Sequence, residues 1–322
     1  MKQVSDEKCS FFGVDVASKE LVISCYPQVQ TQAIGNDKKS IRAWLKTLPA
    51  NAVVAAEATG GYHQTLIQMA FEAGATCFVL NPKDVKHYAK AAGARAKTDA
   101  VDARLIARYC AKEHMELHAW KPSPANCDRV LGLIKRRAKL VKVQGQLKQS
   151  FKGFDGVKTQ VDKMAALIRQ TLRKLDAAIK QASQALPDGP AEIARLKSIP
   201  GIGLLTASYL LSTFVRIPFA NADAPVAFAG LDPRANDSGT KTGRRRLSKR
   251  GPAELRRLLY NAAMAGSQTK AWNKGYLRTR AAGKTSTEAL VILARKILRV
   301  AFSLFKNKVH FDINRLARAP AG

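Results

Sequence analysis

The stretch RAKTDAVDARLIARY, residues 95 to 109, places Asp99 and Asp102 three apart at the start of a predicted helix, in a chain whose formal charge is +30. Residues at i and i+3 share a helix face, and like charges there repel by a few tenths of a kcal/mol. Capping is one account of the pair. Asp99 would then be the N-cap and Asp102 the third helical residue, both beside the positive end of the helix dipole. The other account is a bound cation, and two more acids bear on it. Asp15 lies inside the apolar run FFGVDV and Glu57 near the end of VVAAEA. A carboxylate within an apolar strand is costly to bury unless it faces solvent or binds a cation. Clustered oxygen ligands without Cys or His suit Mg2+ or Mn2+ rather than zinc. Two such ions can stabilise the attacking and leaving oxygens of a phosphodiester displacement.

The elements that must bring these acids together follow from the pattern of the chain. FFGVDV (11 to 16), LVISCY (21 to 26) and TQAIG (31 to 35) read as three short strands separated by polar turns. A helical stretch follows, carrying Ile41, Trp44, Leu45 and Leu48 on one side. Next come the strand VVAAEA (53 to 58), a helix from Tyr62 to about Glu72, the strand TCFVLN (76 to 81), a helix after Pro82 and the helix beginning near Asp99. Three strands followed by alternating helix and strand is the order of a ribonuclease H-like α/β domain, an antiparallel meander leading into a parallel sheet.

Composition bounds the rest. The 322 residues, 46% hydrophobic and 24% charged, suffice for two or three domains with their own cores. No apolar run reaches the roughly 18 to 20 residues that span a bilayer, so a soluble cytoplasmic protein is expected. The five cysteines, Cys9, Cys25, Cys77, Cys110 and Cys127, form no CxxC pair and predict reduced, structural thiols. Charge is uneven. Residues 1 to 118 carry 15 Lys+Arg against 12 Asp+Glu, residues 119 to 189 carry 15 against 5, and residues 190 to 322 carry 24 against 7. A near-neutral first segment followed by two basic ones suggests acids that do chemistry and cations that grip phosphates, with DNA as the partner.

In the second segment Val161, Met164, Ile168, Leu172, Leu175 and Ile179 form an apolar stripe at helical spacing. It fits either a core helix or a coiled-coil contact. FKGFDG (151 to 156) marks a hairpin or hinge. The third segment opens with LKSIPGIGLLTASYLL, in which Pro-Gly-Ile-Gly between two apolar helical runs has the character of a helix-hairpin-helix turn. Gly201 and Gly203 would there let backbone N–H groups approach a phosphate. KTGRRRLSKRGPAELRR (241 to 257) holds eight basic residues and one acid. Lys241, Arg244, Arg245, Arg246, Lys249 and Arg250, beside a Gly/Ser loop, are candidates to clamp a nucleic-acid backbone. The final helix from Ser286 to about Phe305 reads as core.

The segments GVDVASKEL, EATGGYH, NPKDVKHYAKAAGARAKTDAVDARLIA, SIPGIGLLTA and AFAGLDPRANDSGTKTGRRRLSKRG together resemble the DEDD transposases of the insertion-sequence-110 family. These relatives of the Piv DNA invertase are known as bridge-RNA-guided recombinases. The resemblance implies a RuvC-like catalytic domain over residues 1 to 118, a helical, coiled-coil segment over 119 to 189 and a mostly helical transposase domain over 190 to 322. It places the Asp-Glu-Asp-Asp tetrad at Asp15, Glu57, Asp99 and Asp102, and a serine nucleophile in a Ser-Gly motif at Ser238, followed by Gly239. It further implies metal-dependent DNA cleavage and exchange through a covalent phosphoserine, a guide RNA, and homodimers pairing into a homotetramer. After SKRG this chain has Pro252 where the family pattern has Asn. On residues alone NDSGTKTG is a flexible turn, and no histidine lies near Ser238 in sequence to activate it. A RuvC-like junction resolvase using water as nucleophile is the alternative enzyme, and a non-catalytic nucleic-acid-binding protein the alternative outside enzymology.

Overall fold

The computed structural model describes residues 10–58, 60–94, 98–124, 126–234, 237–238, 241–242 and 245–314, and for residues 237, 238, 241 and 242 the backbone alone. The chain divides into two compact units after Pro122.

The first unit is built on a five-stranded sheet. Strands β1 (Phe11–Val16), β2 (Glu20–Tyr26) and β3 (Thr31–Gly35) form an antiparallel meander. β4 (Val53–Glu57) then pairs parallel with β1, and β5 (Thr76–Leu80) parallel with β4, giving the order β3-β2-β1-β4-β5. This mixed α/β arrangement is consistent with the expected RuvC-like domain. Alternation of side chains along each strand divides the sheet into two buried faces. Val14, Val16, Val54 and Ala56 meet Ile41 and Trp44 of α1 (Lys38–Leu45) and Leu66 and Ile67 of α2 (Gln64–Glu72). On the other face Val53, Ala55, Phe78 and Leu80 meet Val85 of α3 (Pro82–Ala91) and Ile106 and Cys110 of α4 (Asp99–Glu113). Burial on both faces is what makes VVAAE a continuous apolar run.

The second unit is helical. Helices α5 (Cys127–Ser150) and α6 (Lys158–Gln184) form an antiparallel hairpin that turns at residues 151 to 157, where the sequence predicts a break. Arg137 on α5 and Asp176 on α6 pair across it through two nitrogens and two oxygens. The end of the hairpin nearest the chain's later helices shares one core with α7 (Gly189–Lys197), α8 (Leu204–Arg216), α10 (Ala253–Gly266) and α12 (Ser286–Asn307); Ile134, Ile179, Leu196, Leu210, Leu259 and Ile297 all belong to it. One core therefore runs across residues 189 and 190, where sequence alone suggests a boundary. In the stripe of α6, Leu172 and Ile179 are buried within this chain, whereas Met164 is exposed.

The turn between α7 and α8 packs tightly on its surroundings. Gly201 has φ +98°, and a Cβ there would lie 2.2 Å from the Ala262 carbonyl oxygen and 2.8 Å from the Gly266 nitrogen, both on α10. Trp272 Nε1 donates to the Pro200 carbonyl at 2.9 Å. Packing against α10 thus accounts for Gly201, while Gly203, the N-cap of α8, faces open space. Of the cysteines, Cys25, Cys77, Cys110 and Cys127 are free thiols; burial pushes Cys77 and Cys110 up to about 12. Cys9 lies outside the described residues. Among the described residues no helix is long and apolar enough to cross a membrane.

Candidate active site

Close approach of α4 to β1 positions the acids. A Cβ on Gly13 would lie 2.1 Å from the Ala107 nitrogen and 2.4 Å from the Ala103 carbonyl oxygen, so the helix backbone rests directly on the strand. Residues 11, 13 and 15 share one face of β1. Along it Phe11 stacks on His114 with ring centroids 4.9 Å apart, Gly13 receives Ala103 and Ala107, and Asp15 follows toward the N-terminal turn that carries Asp99 and Asp102. The parallel register of β1 with β4 pairs Val14 with Ala56, so the next step sets Glu57 alongside Asp15 at the carboxyl ends of both strands. Glu57 has the parity of Val53 and Ala55, whose face is the one α4 covers. All four predicted acids therefore converge on one end of one sheet face.

Electrostatics register that convergence. The carboxyl of Asp15 is pushed from its ordinary 3.8 up to about 6, first by burial, then by the negative charges of Asp99 and Asp102 and, more weakly, Glu57. A hydrogen bond with the Val16 backbone opposes the shift. Like charges gathered at a half-buried acid are the signature of a site tuned for function. The donor set is all oxygen, which matches a hard divalent cation. Among the described residues no three Asp, Glu, His or Cys side chains are arranged to hold a metal ion. Asp15, Glu57, Asp99 and Asp102 are the residues that would hold such an ion.

The capping account of Asp99 is corrected by the structure. Thr98 is the N-cap, its side chain accepting from the Val101 nitrogen at 3.3 Å. Asp99 is the first helical residue and Asp102 the fourth. Thr98 caps the helix end, so neither carboxylate serves as the N-cap. Thr98→Ala is expected to cost about 1 kcal/mol of stability by loss of the cap, read by chemical denaturation.

One contributor escapes sequence reading. Asn36 Nδ2 donates to the carbonyls of Ala17, at 2.8 Å, and Tyr62, at 3.3 Å. It thereby ties together the loops that leave β1 and β4, the strands presenting Asp15 and Glu57. Its only sequence signal is an Asn at the turn after Gly35.

In the second unit Ser238 lies in a short antiparallel ladder. β6 (Pro233–Arg234) pairs antiparallel with β9 (Arg246–Leu247), and β7 (Asp237–Ser238) with β8 (Lys241–Thr242). Ser238 is paired with Lys241 in the second ladder. The base of the hairpin formed by β6 and β9 is fixed firmly. Ser248 and Lys249 nitrogens donate to the carbonyls of Asp232 and Gly230, and Ser248 Oγ bonds the Asp232 carboxylate. A Cβ on Gly251 would collide with the Phe228 carbonyl. Arg256 Nη1 donates to both the Ala229 and Gly251 carbonyls, bridging the two legs. Pro252, the departure from the family pattern, takes the N-cap of α10, where an extended conformation is required.

Arg245, Arg246, Lys249 and Arg250 are exposed near the hairpin base. Arg244 and Gly239 lie outside the described residues, as do the side chains of Ser238 and Lys241. The acids belong to the first unit and Ser238 to the second.

Comparison with known proteins agrees with both halves of this description. Residues 12–154 match the DEDD transposase domain of IS110 type, which contains all four acids and points to divalent-metal dependence. Residues 193–278 match the transposase IS116/IS110/IS902 family, spanning the hairpin that carries Ser238. The pilin gene-inverting protein of Moraxella lacunata is 30% identical over 262 residues, covering 80% of each chain, and that of Moraxella bovis matches to the same extent. The transposase for insertion sequence element IS1111A of Coxiella burnetii is 26% identical over 289 residues, 79% of this chain and 76% of its own. The chain belongs to the IS110 family of insertion-sequence transposases, enzymes that cleave and rejoin DNA.

Proposed function

We propose that this transposase exchanges DNA strands through a covalent serine intermediate, with the DEDD acids as its metal site and a guide RNA directing it to its DNA. The observation that carries the reading is the convergence of Asp99, Asp102 and Glu57 on Asp15, whose carboxyl they help to raise to about 6. A divalent cation held there, Mg2+ or Mn2+, supplies Lewis-acid stabilisation of phosphodiester oxygens and favours an alkoxide. The chain's own residues do the rest. Asp15, Glu57, Asp99 and Asp102 would hold the cation, and the negative charge they gather at one place favours cations there.

Ser238 Oγ attacks phosphorus, forming an O–P bond as the bond to the departing strand oxygen breaks; the hydroxyl proton ends on that oxygen. A hydroxyl from a second strand then attacks the phosphoserine, transferring the phosphoryl group and returning a proton to Ser238. Bond energy is conserved in the ester, so rejoining needs no nucleotide cofactor. With acids and serine in different units, the serine of one subunit is proposed to complete the metal site of another, within dimers that pair into a tetramer. The basic residues Lys241, Arg244, Arg245, Arg246, Lys249 and Arg250 hold backbone phosphates beside the serine, with the turn at Gly201 and Gly203 as a further backbone contact.

Denaturing gels of the full chain with its DNA and RNA and Mg2+ test this. Wild type is expected to yield a protein–DNA adduct, and Ser238→Ala to lose adduct and strand transfer by at least about 10³-fold. Metal-dependent nicking undiminished in Ser238→Ala would instead mark water as the nucleophile.

A further inference from the structure

We infer that the outer face of α11 (Asn273–Ala281), with Lys274 and Arg278, joined by Lys270 in the preceding turn and Lys296 on neighbouring α12, binds the phosphodiester backbone of duplex DNA. Residues 255 to 287 contain seven Lys and Arg and no Asp or Glu. Three of the seven are engaged locally: Arg256 on the hairpin base, Arg257 on Glu254 and Arg280 on the Lys284 carbonyl. Lys270, Lys274 and Arg278 are exposed. On the inner side of the helix, Trp272 is 2% exposed and Tyr276 packs on the core, so Lys274 and Arg278 project on the opposite side. Four residues at 1.5 Å per residue set them about 6 Å apart along the axis. Lys296 Nζ lies 5.9 Å from the centre of the Trp272 ring, which adds a fourth cation next to the start of α11.

Arg278 suits the negative end of the helix dipole, but local stability gives no reason for Lys274. Lys274 occupies the first turn of α11, the positive end of its dipole, and that turn contains no acid. No residue of the helix is buried, and Leu277 is 54% exposed. A helix so poor in internal support, with a lysine set against its dipole at its start, is explained by an anion that the cations meet outside the chain. A duplex presents one negative charge per roughly 1.7 Å of axis, dense enough for cations at this spacing. The face has no stacking platform, since Trp272 is buried and Tyr276 Oη bonds Ser286, which favours a duplex backbone over single-stranded nucleic acid. The inference holds whichever nucleophile acts.

The test uses the full chain and a fluorescein-labelled DNA duplex of arbitrary sequence, with anisotropy measured between about 50 and 200 mM salt. K270Q/K274Q/R278Q is expected to bind about tenfold or more weakly and to flatten the log K against log salt slope by about 2 to 3, near 0.9 for each lost phosphate contact. Thermal unfolding stays at the wild-type midpoint, since all three side chains are exposed. A slope within about 0.5 of wild type overturns the inference. So does an equal flattening by the charge-matched variant K139Q/K142Q/K148Q on α5, or a loss confined to RNA with duplex DNA binding unchanged.

Discussion

Asp15→Asn is expected to lower metal-dependent DNA cleavage by about 10²- to 10³-fold, the scale of removing one group that stabilises transition-state charge. In the same variant the metal-free protein becomes more stable. In the native chain the Asp15 carboxyl titrates at about 6 instead of 3.8, because burial and then Asp99, Asp102 and Glu57 disfavour its charge. An acid whose folded pKa is raised contributes stability below pH 4 that is lost as pH rises through 6. At 1.36 kcal/mol per unit, tempered by partial solvation, the loss is on the order of 2 kcal/mol. Asparagine removes the charge, so its unfolding free energy in chelator should stay flatter across that window and exceed wild type at pH 7. Urea denaturation from pH 4 to 8, alongside a cleavage assay, reads both effects. A variant that still cleaves at the native rate, or that is less stable than wild type at pH 7, would remove Asp15 from the metal site.

Gly13→Ala is expected to cost about 3 kcal/mol, the upper part of the range for overpacking, because both close neighbours of the new methyl are backbone atoms that cannot rotate away. Helix α4 must lift, carrying Asp99 and Asp102 from Asp15; a misplacement near 1 Å costs about 10²-fold in rate. Gly145→Ala, in the open interior of α5, makes the control. There the same methyl meets nothing within 4 Å and should stabilise by about 0.5 to 1 kcal/mol. Denaturant midpoints of opposite shift, with cleavage lost only in Gly13→Ala, bear out the close strand–helix contact; equal shifts refute it.

Much of the first unit was legible because its signals are local. FFGVDV is a strand over the residues expected, since its apolar positions serve two buried faces, and the order of strands follows from chain connectivity. Asp15 and Glu57 stand out as carboxylates against such runs, and Asp99 and Asp102 by their spacing at a helix start. Less legible was anything set by tertiary contact. Thr98 rather than Asp99 caps α4, a one-residue difference that turn propensity does not resolve. The stripe on α6 could not say which helix it faces; α5, α7 and α8 all pack on α6, and Ile179 joins their common core. Gly201 signals a turn, yet its neighbour is α10, some sixty residues away in sequence. Asn36 and Arg256 act by bridging carbonyls of separate loops, and no pattern of side-chain types announces that.

The braced root of the β-hairpin has a mechanical meaning. Arg234 and Ser238 are four residues apart, which bounds the lever between them at about 13 Å. Tilting such a lever by about 10° at its pivot sweeps its end through about 2 Å, twice the error that costs a reaction about 10²-fold. A glycine at a crossing, an arginine stapling both legs and a serine clasped to an aspartate suppress that tilt at the pivot. Aim at the far end is therefore decided by residues that touch no substrate.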